Sequence, residues 1–141
     1  MHRVFGQKED VIYRDRKGAY LIPINGEEVG IVETAKGFFF LGGGINERET
    51  DKECIIRECL EEAGYKVKIT EKVCSAETYC VHPTIGYFHP TQTYYLGELT
   101  LKTKEPIEAD HLFRWINYEK LKGKMFLEMQ NWALDIIFDK R

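Results

Sequence analysis

No stretch of the 141-residue chain approaches the ~20 consecutive apolar residues that a membrane-spanning helix requires. The longest run, Phe38-Phe39-Phe40-Leu41, is the size of a strand. The first residues, Met1-His2-Arg3-Val4-Phe5-Gly6-Gln7-Lys8, lack the apolar core of a secretion signal. A cytoplasmic protein with no membrane partner is therefore expected. Cysteine is scarce: Cys54, Cys59, Cys74 and Cys80 form no CxxC pair, and no histidines stand at zinc-finger spacing. This argues against a structural zinc site and for reduced thiols. An excess of one charge is missing too, since 20 Lys and Arg against 23 Asp and Glu leave a net charge of −3. Such a chain has no bulk attraction to a nucleic-acid polymer or an anionic membrane. Without repeats, low-complexity tracts or Pro/Ser-rich linkers, residues 1–141 read as one domain.

What is present is enough apolar sequence, 43% of the residues, to build a core. Gly18 to Ile24 is apolar, Asn25-Gly26 is a turn dipeptide and Val29 to Glu33 follows, the pattern of a hairpin. Phe38–Leu41 is a further strand, ended by Gly42-Gly43-Gly44. Thr50-Asp51-Lys52-Glu53 is a capping-box pattern that starts a helix, and Gly64 ends it. Residues 65–79 and 91–101 read as longer strands with a loop over 81–90 between them, and 112–116 as a short strand. Met125, Met129, Trp132 and Ile136 recur at helical spacing, which predicts a second helix over 125–138. Strands around two helices indicate an α/β layered domain.

The stretch from Gly43 to Tyr65 carries the chemistry. Taken from Ile56 at ~100° per residue, Cys59, Leu60 and Ala63 fall on one side of the first helix, the stripe expected to pack on the sheet. Glu58, Glu61 and Glu62 fall on the opposite side, within one turn of each other. Like charges at such neighbours cost roughly 0.2–0.5 kcal/mol per pair when exposed. Arg57 relieves only part of this, and a hard cation coordinated by oxygen, Mg²⁺ or Mn²⁺, is the natural counter-charge. Taken singly, a glutamate cluster has a plainer explanation as a solvated helix face, and a glycine triplet as a turn. The combined spacing is what changes the reading.

That spacing resembles the signature of the Nudix hydrolases: Gly, five residues, Glu, seven residues, Arg-Glu, an apolar residue, any residue, Glu-Glu, any residue, Gly, apolar. Gly43, Glu49, Arg57, Glu58, Glu61, Glu62 and Gly64 occupy all the fixed positions. At residue frequencies of about 7% a chance match is on the order of one in a million. The resemblance implies an α/β/α sandwich, a mixed twisted sheet between helices, with a loop-helix-loop catalytic motif. It implies that Glu58, Glu61 and Glu62, joined by the Gly42 carbonyl, ligate Mg²⁺ (or Mn²⁺). Glu49 and Arg57 would tie the loop to the helix, with Gly43 and Gly64 as structural support. Cys59 stands at an apolar position and is read as a small core residue. Leu41 and Arg48 depart from many relatives, which have Pro and Gly there.

The activity implied is hydrolysis of a nucleoside diphosphate linked to another moiety, with a nucleoside triphosphate as the first expectation. Catalysis of this kind needs positioning and neutralisation of charge more than covalent help. Glu105, Glu108 and Asp110 are candidates for a general base on the loop Lys102–His111, with Glu108 or Asp110 preferred. Arg14 and Arg16 are candidates for phosphates, and Tyr79 and Tyr87 for a base. A nucleotide sensor without turnover is the alternative reading. The partner expected is a small nucleotide, and the chain is expected to be a monomer or a homodimer.

Overall fold

Strand β2 (Arg14–Asn25) is the axis of the fold because both its edges and both its faces are used. One edge pairs in parallel with β8 (Gly86–Lys102), from Arg14 opposite Phe88 to Pro23 opposite Gly97. The other pairs antiparallel with β5 (Leu41–Gly44) and, past a turn in which Gly26 adopts φ +64°, with β3 (Glu28–Thr34). The sheet order is β1 (His2–Phe5), β6 (Tyr65–Thr78), β8, β2, β3, β4 (Gly37–Phe39). β7 (Cys80–His82) pairs with β8, and β9 (Leu112–Asn117) with β3. A computed structural model supplies these coordinates and describes residues 1–106 and 110–139.

Alternation along β2 divides the core. Ala19 and Leu21 point to the face covered by helix α1 (Asp51–Ala63), where they pack with Leu41, Ile55, Cys59 and Ala63. Ile22, with Tyr94 and Phe40, lies on the other face, under helix α3 (Glu128–Asp139), against Met129, Ala133 and Leu134. Between β9 and α3 lies the short helix α2 (Tyr118–Leu121). A mixed sheet between helices is thus the arrangement, as the sequence leads one to expect.

Three expectations are corrected. Phe38–Leu41 is not one strand ended by the glycines: the run breaks at Phe40, and Leu41–Gly44 is itself β5, paired with β2. Residues 81–90 are not a loop but most of a hairpin, β7 into β8. Its turn is held by His82 Nδ1, which accepts from the N–H groups of Thr84 and Ile85 (both 3.2 Å). Pro90 is tolerated because it sits where β8 passes from pairing with β7, ending at Phe88, to pairing with β6, starting at Thr91. The last helix starts at Glu128 rather than Met125. The Asn131 side chain accepts from the Met125 N–H (2.8 Å) and donates to the Met125 carbonyl (3.2 Å), fixing that residue in an extended lead-in.

A line of polar side chains crosses four neighbouring strands: Ser75 Oγ to His2 Nδ1 (2.7 Å), His2 Nε2 to Glu77 (2.5 Å), Glu77 to His89 Nε2 (2.8 Å) and His89 Nδ1 to Asp15 (2.7 Å). Hydrogen bonds from His89 and then His2 hold the Glu77 carboxyl below its ordinary range. Its contribution is present above the usual carboxylate range and is lost as pH falls through the lowered value. Partial burial works against a charged His89, but the bonds to Asp15 and Glu77 outweigh it and raise the imidazole. That contribution is complete below about pH 6.5 and is lost as pH rises through the raised value. The His89→Gln variant is therefore expected to lose melting temperature most near about pH 5.5 and progressively less towards about pH 9. Thermal melts of both proteins across that range check this, and a pH-independent difference would contradict it.

Candidate active site

Helix α1 begins where the sequence says it should. Thr50 Oγ accepts from the Glu53 N–H (3.1 Å) and Glu53 Oε1 accepts from the Thr50 N–H (3.0 Å), satisfying two exposed donors at once. It ends at Gly64, φ +75°, whose N–H donates to the Cys59 and Leu60 carbonyls. The buried face differs from the expected stripe. Ile55, Cys59, Glu62 and Ala63 are buried, while Ile56 is half exposed. Glu62 thus lies on the sheet side rather than opposite it. A buried carboxylate is tolerated only with hydrogen bonds, and Gly42 supplies one, its N–H donating to Glu62 Oε1 (2.9 Å).

The glycines of β5 make room for the carboxylates. A Cβ on Gly43 would lie 2.8 Å from the Glu58 carboxyl carbon, so the carboxyl rests directly on the strand and would have to move aside for any side chain there. On the other face of the same strand the Arg16 guanidinium covers Gly44, where a Cβ would lie 2.5 Å from Nε.

Arg57 gathers the charges. It donates to Glu49 through Nε (2.8 Å) and Nη2 (3.0 Å), a two-point pair, and through Nη2 also to the Gly44 carbonyl (3.2 Å). Its Nη1 donates to Glu58 (2.7 Å) and lies 3.6 Å from Glu61. The bonds from Arg57 and then from the Asn46 N–H hold the Glu49 carboxyl down at about 2. Burial pushes the Cys59 thiol well up, in keeping with a core residue rather than a reactive one.

Among the described residues no three His, Cys, Asp or Glu side chains converge as a ready-made metal cage. The donor set nevertheless suits a hard cation, being carboxylate and carbonyl oxygens, and the bare Gly43 backbone is a cradle that a Cβ would fill. Glu58, Glu61 and Glu62 are the residues that could hold one, with Gly42 beside them.

Two adjoining cavities share Tyr20, Lys36 and Phe39. The first, about 380 Å³, is lined by Glu62, Gly42, Asp110 and His111, and His111 Nδ1 stands 3.4 Å from Glu62. The second, about 410 Å³, is lined by Arg16, Phe39, Phe88, Gln92, Phe126 and Met129 among others. Burial, partly offset by Arg16, raises the Tyr20 phenol, which stays protonated.

Of the remaining residues read from the sequence, Asp110 and Arg16 meet these cavities. Arg14 is exposed on β2, further out along the face that carries Arg16. Glu108 lies outside the described residues. Tyr79 and Tyr87 are not brought to the carboxylates. They pack around Tyr13 (5.0 and 5.6 Å between ring centres), with Tyr79 stacked on His89 at 4.2 Å. Strand alternation turns Thr78 and Phe88, not Tyr79 and Tyr87, to the second cavity. Tyr20, Lys36, Gln92 and His111 were missed, because no local pattern marks a residue whose neighbours come from distant strands.

A family profile described as the NUDIX domain matches residues 13–138. The chain belongs to the Nudix family. It is a Nudix hydrolase, a class that acts on phosphoric anhydride bonds of small nucleotide substrates and generally uses divalent metals. Among solved structures, a NUDIX hydrolase from Nitrosomonas europaea aligns with a TM-score of 0.79 and 11% identity over 90% of each chain. A MutT NUDIX hydrolase from Burkholderia pseudomallei aligns with a TM-score of 0.73 and 17% identity, over 88% of this chain and 98% of that one. The MutT protein from Methanosarcina mazei Go1 gives 0.73 and 15%, over 94% and 99%. At such identities the likeness is one of fold. No curated protein matches the chain.

Two substitutions probe this Nudix motif. Arg48 has φ +66°, a left-handed conformation that glycine adopts more readily than a residue with a side chain. Because that conformation costs a side-chain-bearing residue roughly 1–2 kcal/mol, Arg48→Gly is expected to be neutral or stabilising by up to about 1 kcal/mol in denaturant unfolding. Gly43→Ala meets only the mobile end of Glu58. It is expected to leave the melting temperature within a few degrees while reducing turnover by at least about tenfold. A full loss of folding would contradict that expectation, as would unchanged turnover.

Proposed function

We propose that this Nudix hydrolase is a divalent-metal-dependent pyrophosphohydrolase whose substrate is a nucleoside triphosphate, cleaved by water attack on phosphorus. The observation that carries the reading is the pair of carboxylates, Glu58 and Glu62, resting on the glycine backbone at 42–43, with Glu62 lining the first of two adjoining cavities. In this reading Glu58, Glu61, Glu62 and the Gly42 carbonyl hold Mg²⁺, or Mn²⁺. When bound there, the cation neutralises the diphosphate oxygens and lowers the pKa of an attacking water.

The remaining steps belong to side chains of this chain. Arg16 and Lys36 line the second cavity and meet the negative charge of the phosphate chain. Phe39, Phe88 and Phe126 offer the base an apolar, aromatic enclosure. Tyr20, neutral and common to both cavities, supplies a hydroxyl donor between them. Asp110, on the wall that carries Glu62, takes the proton from water, a role it shares as a candidate with Glu108. Arg57 does no chemistry; it sets the direction of Glu58 and Glu61.

The test is a product assay with purified protein, Mg²⁺ or Mn²⁺ and a panel of nucleoside triphosphates, nucleotide sugars and dinucleotides. A triphosphate is expected to yield the monophosphate and pyrophosphate. Glu62→Gln keeps an acceptor for the Gly42 N–H and so should fold normally, while kcat falls roughly a hundredfold or more. Full activity in that variant removes the metal assignment. Tight nucleotide binding with no turnover under either metal replaces the enzyme with a sensor.

A further inference from the structure

The second cavity contains one side chain whose hydrogen-bonding polarity is dictated from outside it. The Phe40 backbone N–H, which can only donate, bonds Gln130 Oε1 at 3.0 Å. This orients the Gln130 amide, so its Nε2 faces Gln92 and donates to Gln92 Oε1 at 3.0 Å. Tyr94 donates to the same oxygen at 2.8 Å. Gln130 is fully buried and Gln92 is 5% exposed. A flipped Gln92 would set two amide NH₂ groups against each other, so the chain of bonds leaves one orientation.

With its oxygen used inward by two donors, Gln92 has only its two N–H groups left. Gln92 lies opposite Gly18 on β2, on the sheet face that carries Arg16, and lines the cavity. The rest of the inner wall is largely apolar, with Phe39, Phe88, Phe126 and Met129. Glu128, the acidic residue of the lining, is exposed at the surface and accepts from Asn131 Nδ2 (3.3 Å). The inner end of the cavity therefore presents donors.

We propose that Gln92 is the residue that selects the base, and that it selects a ring carbonyl over an exocyclic amine. Guanine is then preferred to adenine, and uracil to cytosine. This rests on the reading that the base of a nucleotide enters the second cavity. The physical reason is asymmetric. A carbonyl satisfies the Gln92 N–H groups, whereas an amine at the same ring position sets donor against donor and leaves nearly buried groups unpaired. The preference is inherited from the Phe40 N–H through two glutamine amides, without any ionisable group.

The experiment compares kcat/KM for GTP against ATP and for UTP against CTP, with Mg²⁺ and the full-length protein, in the wild type, Gln92→Glu and Gln92→Leu. The wild type is expected to favour the carbonyl base by about tenfold in each pair, chiefly through KM. Gln92→Glu keeps an acceptor for Tyr94 and Gln130 but turns an acceptor to the cavity, and at about pH 9 it is expected to lose or reverse the preference. Gln92→Leu should bring each pair to near parity. Turnover of nucleotides with no carbonyl preference overturns this inference and leaves the hydrolase reading standing. So does a preference unchanged in both variants. Failure of the wild type to bind or cleave any nucleotide overturns both.

Discussion

The Arg57 guanidinium reaches from helix α1 to the Glu49 carboxylate in the preceding loop, to the Gly44 carbonyl at the end of β5 and to the neighbouring Glu58. Loop, strand and helix are thereby fixed to one planar, permanently charged group, whose fork of donors a lysine could not reproduce. The rest of the site depends on this junction. It offsets the repulsion within the glutamate cluster, and it fixes where Glu58 lies relative to the strand. Glu62 is secured separately, by the Gly42 N–H, so the two carboxylates nearest the backbone are positioned by independent bonds.

The glycines of β5 serve that junction by what they omit. Consecutive residues of a strand face opposite sides, so Gly43 receives Glu58 on one side while Gly44 receives the Arg16 guanidinium on the other. A cation and an anion thus approach one strand from both faces with no side chain of that strand between them. The hydrophobic division follows the same pleat, with one set of β2 residues under α1 and the alternate set under α3.

Much of this was legible in the sequence, and the reasons differ from element to element. The capping box and Gly64 mark both ends of α1 because each acts within a few residues of itself. The glutamate spacing placed Glu58, Glu61 and Glu62 within one turn because helical neighbours are set by local geometry. What sequence could not reveal depended on distant partners. An amphipathic wheel puts Glu62 on the wet side, whereas the Gly42 donor, twenty residues away, and His111 at 3.4 Å meet it inside. Tyr79 and Tyr87 are suitable residue types on the wrong side of the pleat, with Tyr13 as their partner. Gln92 carries no local signal at all, since its orientation is set by Gln130 and Phe40.

Gly64 has a second occupation besides ending the helix. The Thr103 N–H donates to its carbonyl (2.8 Å), and the Lys104 carbonyl lies where a Cβ would be, 1.9 Å away. The chain at 103–104 is therefore buttoned to the foot of helix α1 at a point where no side chain fits. A motif residue that looks like punctuation thus also anchors the chain at 103–104, two elements held by one residue without a side chain.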